Sequence, residues 1–274
     1  MKKIVKVAIS ICLCVACVVS VLSFSACKEN NLVNYIITVS VNGEDKELNI
    51  TLDKEVAPKT FEKISKLIND GFYSNAFFYK RTGSYSNQIM FGDLKFDNGE
   101  IVQIDKLPGN LTGEFEHGAL QGSTYKNVEG SIGLWRTWTS SGYTYSNGND
   151  TGSCTLYMPT SSINDYDGYF CVFGSFDLDD ESVKSVWTAI KDAINIIDDD
   201  NYIKYTVYYV KDDNNFNFNV IETENFDSVK ETAYKAEDNE FQCYNSYEIK
   251  VPVVNKASGI LDAGVKIKSI KIAE

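Results

Sequence analysis

Apolar and polar positions alternate with a period of two over Tyr35-Ile36-Ile37-Thr38-Val39-Ser40-Val41 and again over Glu47-Leu48-Asn49-Ile50-Thr51-Leu52. That period reads as two strands, and Asn42-Gly43 between them is a hairpin turn signal. The period then changes. After Ala57-Pro58-Lys59-Thr60, apolar Phe61, Ile64, Leu67 and Ile68 fall on one face of a helix that Asp70-Gly71 stops. Phe77-Phe78-Tyr79 opens another strand, and short strands return at Cys154–Met158 and Phe170–Gly174. A second helix is predicted from Glu181 to Ile197, with Val183, Val186, Trp187, Ile190, Ile194 and Ile197 on one face. Beyond it, Tyr202–Val210 and Phe216–Val220 form a hairpin turning at Asp212-Asp213-Asn214-Asn215, residues 226–235 a short helix, and Val265–Ile272 a closing strand. Many short strands with two separated helices predict a mainly β fold, a barrel capped by helices.

The first residues follow neither period. Lys2, Lys3 and Lys6 precede an apolar run from Val7 to Val19, and Ser25-Ala26-Cys27 follows. A basic start, an apolar core and small residues before a break describe a secretory leader. A spanning helix is the rival reading, since the run approaches the ~20 residues that cross a bilayer. Ser25-Ala26-Cys27 resembles the bacterial lipoprotein box, in which the Cys is acylated and becomes the new N-terminus. The expected organisation is a leader at 1–26, lipidation at Cys27, a polar tether at 27–32 and a domain at 33–274. The expected place is the outer face of a bacterial cell membrane, held there by the lipid anchor only.

Charge and cysteine usage narrow the chemistry. Removing the three leader lysines from 26 basic residues leaves 23 against 38 acidic ones, a net −15. An acidic chain lacks the basic face that nucleic acid requires. Past Cys27 only Cys154, Cys171 and Cys243 remain, without CxxC spacing, so neither a zinc site nor more than one disulfide is expected. His117 is the single histidine, and a Ser-His-Asp triad would have to use it. The acidic pairs at Asp177, Asp179 and Glu181 and at Asp198-Asp199-Asp200 read as solvated turns in so acidic a chain. No phosphate loop or dinucleotide fingerprint is present, and no cofactor or metal is expected.

Several strings, taken in order, resemble the cyclophilin-type peptidyl-prolyl cis-trans isomerases. Ala57-Pro58-Lys59-Thr60-Phe61-Glu62 is similar to that family's "APKTVENF", Gly71-Phe72-Tyr73 to "GFYDG", Gly92-Asp93 to the end of "QGGD", and Gly113-Glu114-Phe115 to "GEF". Gly130-Ser131-Ile132-Gly133-Leu134-Trp135-Arg136 resembles "RGTISMAR", residues 152–158 stand where "SSQFFI" belongs, and residues 167–174 resemble "LDGKYTVFG". The resemblance implies a closed antiparallel barrel capped by two helices. Two stretches exceed the family pattern: an extended loop at 137–153 and an insertion at 200–246, before the last strand.

The resemblance also implies a site. Cis–trans exchange at X-Pro faces a barrier of about 18–20 kcal/mol, because twisting the amide removes its resonance. The family lowers it with an Arg donor beside an apolar pocket for the proline ring. Counting forward from Tyr73 puts that Arg on Lys80, and counting back from Asp93 puts it on Thr82. Arg81 lies between and is the first choice, Lys80 the second, since a guanidinium keeps its charge and donates as a rigid fork. The pocket Gln falls on Met90, with Gln88 beside it, and the Gln and second Phe of "SQFF" fall on Thr155 and Tyr157. A small residue becomes Trp135, and the His after "DG" becomes Phe170. Such aromatics are as readily core residues. Together the changes predict weak turnover. Two functions follow: an isomerase acting on proline-containing segments of exported proteins as they fold, or a non-catalytic module of the same fold that binds a protein or peptide partner.

Overall fold

Asn42 and Gly43 both take positive φ, 51° and 90°, so the hairpin turn has the twist that matches two right-twisted strands. It joins β1 (Leu32–Val41) to β2 (Glu44–Asp53). Tyr35, Ile37, Val39 and Val41 of β1 and Leu48, Ile50 and Leu52 of β2 are buried on one face, as the alternation predicts. These strands belong to a computed structural model describing residues 31–81, 87–97, 100–104, 110–136, 152–195, 202–212, 215–222, 243–255 and 261–273. Val33–Glu274 forms one unit, and the fold is that of this unit. The leader, Cys27, nearly all of the 137–153 loop and the helix expected at 226–235 lie outside the described residues.

Helix α1 runs over Pro58–Asn69, with proline in its first turn and Thr60, Ile64 and Ile68 buried. Its flanking Ala57 offers no side-chain cap. The Glu114 carboxylate supplies one from far along the chain, accepting the Lys59 and Thr60 N–H groups at 3.1 and 2.7 Å. Helix α2 covers Glu181–Asn195 and buries Val183, Trp187, Ile190, Ala193 and Ile194.

Between and after the helices come β3 (Tyr79–Arg81), β4 (Gln88–Phe91), β5 (Leu94–Asp97), β6 (Glu100–Gln103), β7 (Glu114–Phe115), β8 (Leu120–Ser123), β9 (Ser131–Leu134), β10 (Leu156–Pro159), β11 (Cys171–Ser175), β12 (Tyr202–Asp212), β13 (Asn215–Glu222), β14 (Cys243–Asn255), β15 (Leu261–Ala263) and β16 (Val265–Ile272). Twelve of the strands make one sheet in the order β13-β12-β14-β3-β4-β10-β9-β11-β2-β1-β16, with β15 on β14. The pairings within it are antiparallel.

The sheet curls until β16 meets the residues leading into β3. Phe77 and Lys266 form a single bridge there, flanked by Phe78 N–H to Val265 O at 3.0 Å and Ile267 N–H to Ala76 O at 2.8 Å. The expected closed barrel is therefore a strongly curled sheet tied by a bridge and not by a full strand pairing. The physical reason lies in β3, which leaves β16 after this bridge and pairs with β14 instead. The hairpin predicted at 202–220 is present as β12 and β13, turning between Asp212 and Asn215. The strand β14 runs past residue 246 to Asn255 and makes the stretch after α2 an extension of the main sheet.

The two faces of the curled sheet bury different residues. Phe78, Ile89, Phe91, Leu156 and Met158 point inward and join the helices in the main core. Their neighbours Phe77, Tyr79, Met90 and Tyr157 point outward into a second apolar cluster.

Candidate functional site on the outer face of the sheet

Strand register gathers the candidate residues. Tyr79 is opposite Met90, Met90 opposite Tyr157, and Tyr157 opposite Gly133, so one row crosses β3, β4, β10 and β9. Directly opposed residues of antiparallel strands share a face, and side chains two apart along a strand do too. Arg81 and Gln88 therefore stand on the face of Tyr79 and Met90. Lys80 is opposite Ile89, a main-core residue, and belongs to the other face. Its ammonium donates to Asn195 Oδ1 at the end of α2, at 2.9 Å. Burial lowers the Lys80 pKa, and the neighbouring charge of Lys250 lowers it further. Of the two candidate donors, only Arg81 joins the cluster.

The Arg81 guanidinium lies over the Trp135 ring, 5.4 Å from its centroid. At such a distance the cation is drawn to the negative face of the indole. Trp135 in turn packs edge-on against Tyr157 at 6.1 Å and beside Phe170 at 5.3 Å and Tyr166 at 6.3 Å. Tyr166 and Phe170 stack at 4.2 Å. A second guanidinium, Arg136, lies over Phe170, 5.0 Å from that ring and 4.8 Å from the ring of Phe115, its Nε donating to Tyr169 O. Desolvation lowers the Arg136 pKa.

Gly133 makes room for Tyr157. A Cβ at Gly133 would lie 2.3 Å from Tyr157 Cζ, so the phenol ring rests directly on the backbone of β9. The Tyr157 hydroxyl donates to Asn127 Oδ1, and Asn127 is itself held by Asp167 through its N–H and Nδ2. At the other end of the row, Tyr79 donates to the Asp93 carboxylate. Burial raises the Asp93 pKa, opposed by that bond, by the Thr155 hydroxyl and by the charge of Arg81.

Gln88, Met90, Tyr157 and Phe170 are each no more than 1% exposed, and Thr155 is buried as well. Trp135 is half-buried and Arg81 similarly so. Every residue expected in the groove except Lys80 is thus brought to one face, but packed together and not lining an open slot. Gln88 donates from Nε2 to Met90 Sδ at 3.9 Å, while its buried Oε1 accepts no hydrogen bond among the described residues.

Sequence reasoning missed the rest of the cluster. Tyr166 ends a turn of 3-10 helix at Asn164–Tyr166, and Leu94 and Ile101 come from the β5–β6 hairpin. Tyr205, Ile249 and Val251 come from the extension. Ile249 is opposite both Tyr205 and Arg81, so the row that holds the guanidinium continues two strands further. Only alternation in the extension hinted at this, and alternation names no partner strand.

The family model for cyclophilin type peptidyl-prolyl cis-trans isomerase/CLD matches residues 36–198, more than half of the chain. The chain belongs to this family. Strands β12 to β16 lie beyond the matched residues. Among solved structures the chain is similar to a Cryptosporidium parvum cyclophilin type peptidyl-prolyl cis-trans isomerase studied in the presence of the dipeptide Ala-Pro, at 14% identity and TM-score 0.42, covering 88% of this chain and 99% of that one. A second crystal structure of that isomerase gives 14% identity and TM-score 0.39, covering 89% of this chain and 98% of that one. No curated protein matches the chain.

Proposed function

We propose that this chain is an extracytoplasmic, lipid-anchored member of the cyclophilin family that engages proline-containing segments of exported proteins, with isomerase turnover held low by its own Trp135. The observation that carries the reading is the Arg81 guanidinium on the Trp135 indole, on the same face as Met90 and Tyr157. The family's chemistry needs an Arg donor beside an apolar pocket. Here the donor is present, and an indole stands where the family has a small side chain. Exchange of a proline-containing peptide, followed by NMR at micromolar protein, tests it. The wild type accelerates exchange weakly, Trp135→Ala raises the rate by about tenfold or more, a barrier change near 1.4 kcal/mol, and Arg81→Ala added to Trp135→Ala removes the gain. No gain in Trp135→Ala overturns the catalytic reading.

One observation favours the non-catalytic alternative: Gln88, Met90, Tyr157 and Phe170 are almost wholly buried. In that reading the outer-face cluster is a second core, and a partner binds elsewhere on the domain. Partner binding that survives Arg81→Ala while exchange stays at the uncatalysed rate in every variant selects it.

The membrane address rests on the leader pattern and Ser25-Ala26-Cys27. Two or more acyl chains hold a protein stably at ~0.8 kcal/mol per buried CH₂. Radiolabelled palmitate is expected to enter the wild type in a bacterial host and not Cys27→Ala, which fractionates away from the membrane. Unchanged labelling of Cys27→Ala excludes the anchor.

A further inference from the structure

A groove of about 870 Å³ shares no residue with the outer-face cluster. Strands β1, β2 and β11 contribute to it at Asn34, Asn49, Thr51, Gly174 and Ser175, small or polar positions. Residues 125, 126 and 128–131 and residues 176–180, the approach to α2, also line it. The Phe176 N–H to Gly130 O bond, 2.8 Å, joins these last two segments.

Two properties distinguish this groove from the rest of the described surface. The first is apolar exposure. The exposed large apolar side chains among the described residues are Leu32, Tyr125, Val128 and Ile272; Tyr125 and Val128 line the groove, and Ile272 precedes Ala273, which lines it as well. Exposed apolar side chains scattered singly mean little, but their concentration along one concavity marks a contact surface. The second is charge. Asp177, Asp179 and Asp180 line the groove, and none is ion-paired with a lysine or arginine among the described residues. The other charged groups of the lining are compensated within the protein, Glu129 by Lys191 and Lys126 by Asp167. One oxygen of Asp177 accepts the Asp179 N–H, and one of Asp180 accepts the Ser182 N–H and hydroxyl, so these carboxylates shape the approach to α2 and still carry their charge.

We infer that this groove binds an extended basic segment of a partner protein, an apolar side chain seated against Tyr125 and Val128 and a lysine or arginine facing Asp177, Asp179 and Asp180. The sign of the charge opposes nucleic acid and anionic lipid. It also opposes a second copy of this chain, whose formal net charge is −12. The reading stands apart from the proline site, and a probe without proline keeps the two separable.

The test uses the intact chain from Cys27 onward and three fluorescent ten-residue peptides, one alternating lysine and leucine, one alternating glutamate and leucine, one alternating lysine and glycine. Fluorescence anisotropy is expected to show binding of the lysine–leucine peptide alone, weakening as salt is raised. Asp177→Asn with Asp179→Asn, which keeps the local turn acceptors, lowers its affinity by about tenfold, and Val128→Ser, at an exposed position, lowers it by a similar factor. Hydrogen exchange is expected to slow in residues 125–131 and 172–183 on binding. Equal binding of all three peptides, affinity unchanged in these variants, protection on the Trp135 face instead, or no binding at ~1 mM peptide each overturns the inference.

Discussion

Single side chains set several local properties of this domain, and Tyr125 is the most exposed of them. Its hydroxyl donates to Asp53 Oδ2 at 2.7 Å, and that bond, with burial and the carboxylate charges of Asp53 and Glu55, pushes its pKa up to about 12. A phenol titrates near 10 in an unfolded chain. The folded state therefore holds this proton more tightly, and the contribution to stability is complete below pH ~10 and lost as pH rises towards ~12. Comparing the ultraviolet titration of wild type with Tyr125→Phe isolates this phenol. In Asp53→Asn its midpoint is expected to fall back towards that of an ordinary tyrosine. Cys154 and Cys171 shift in the same direction, chiefly through burial: it pushes both thiols up to about 12, which fits buried structural cysteines and not nucleophiles.

At the scale of elements, α1 shows how a local signal and a distant residue share one task. Pro58 and the apolar spacing announce the helix, but its first N–H groups are satisfied by Glu114, a buried carboxylate 55 residues from Lys59 and 54 from Thr60. Carboxylate charge at a helix N-terminus is favourable, and buried N–H groups left without an acceptor cost about 1–3 kcal/mol each. Glu114→Ala is expected to destabilise the domain by about 2–4 kcal/mol, and Glu114→Gln, which keeps one acceptor oxygen, by less. Denaturant midpoints measure both. Equal stability of the alanine variant and wild type would remove Glu114 from this role. The Gly113-Glu114-Phe115 string was visible in the sequence as a family likeness; its work as a cap was not, because sequence spacing carries no information about a contact of this range.

For the whole molecule, the extension after α2 is the main departure. Strands β12 and β14 continue the outer-face row past Arg81, and Ile249 and Val251 are fully buried in the second cluster. The extension is thus part of the packing around the site and not an appendage. Ile249→Ala is expected to cost about 2–4 kcal/mol, as in other buried isoleucine truncations. If the extension unfolds with the sheet, circular dichroism and Trp fluorescence will report one shared transition. Two transitions, with Ile249→Ala moving only the first, would instead make the extension a separate unit.

The sequence by itself determined the elements that local period and turn chemistry specify. The β1–β2 hairpin follows from alternation and Asn42-Gly43, both helices from apolar spacing, the β12–β13 hairpin from its polar turn, and the family from the order of short strings. Only the structure places Lys80 and Arg81 on opposite faces of the sheet. Counting from Tyr73 and from Asp93 disagrees by two residues, and no local feature says where the difference is absorbed. Pairing of β3 with β4 and β14 puts Arg81 on the face of Tyr79 and Met90 and Lys80 on the other, and a shift of one residue sends a side chain to the opposite face. Likewise Trp135 reads in sequence as any aromatic, and only the meeting of β9, β10, residues 164–170 and β3 places it beneath Arg81. Short-range pattern encodes what a segment becomes; which segments meet, and in what register, is settled by burial summed over the whole chain.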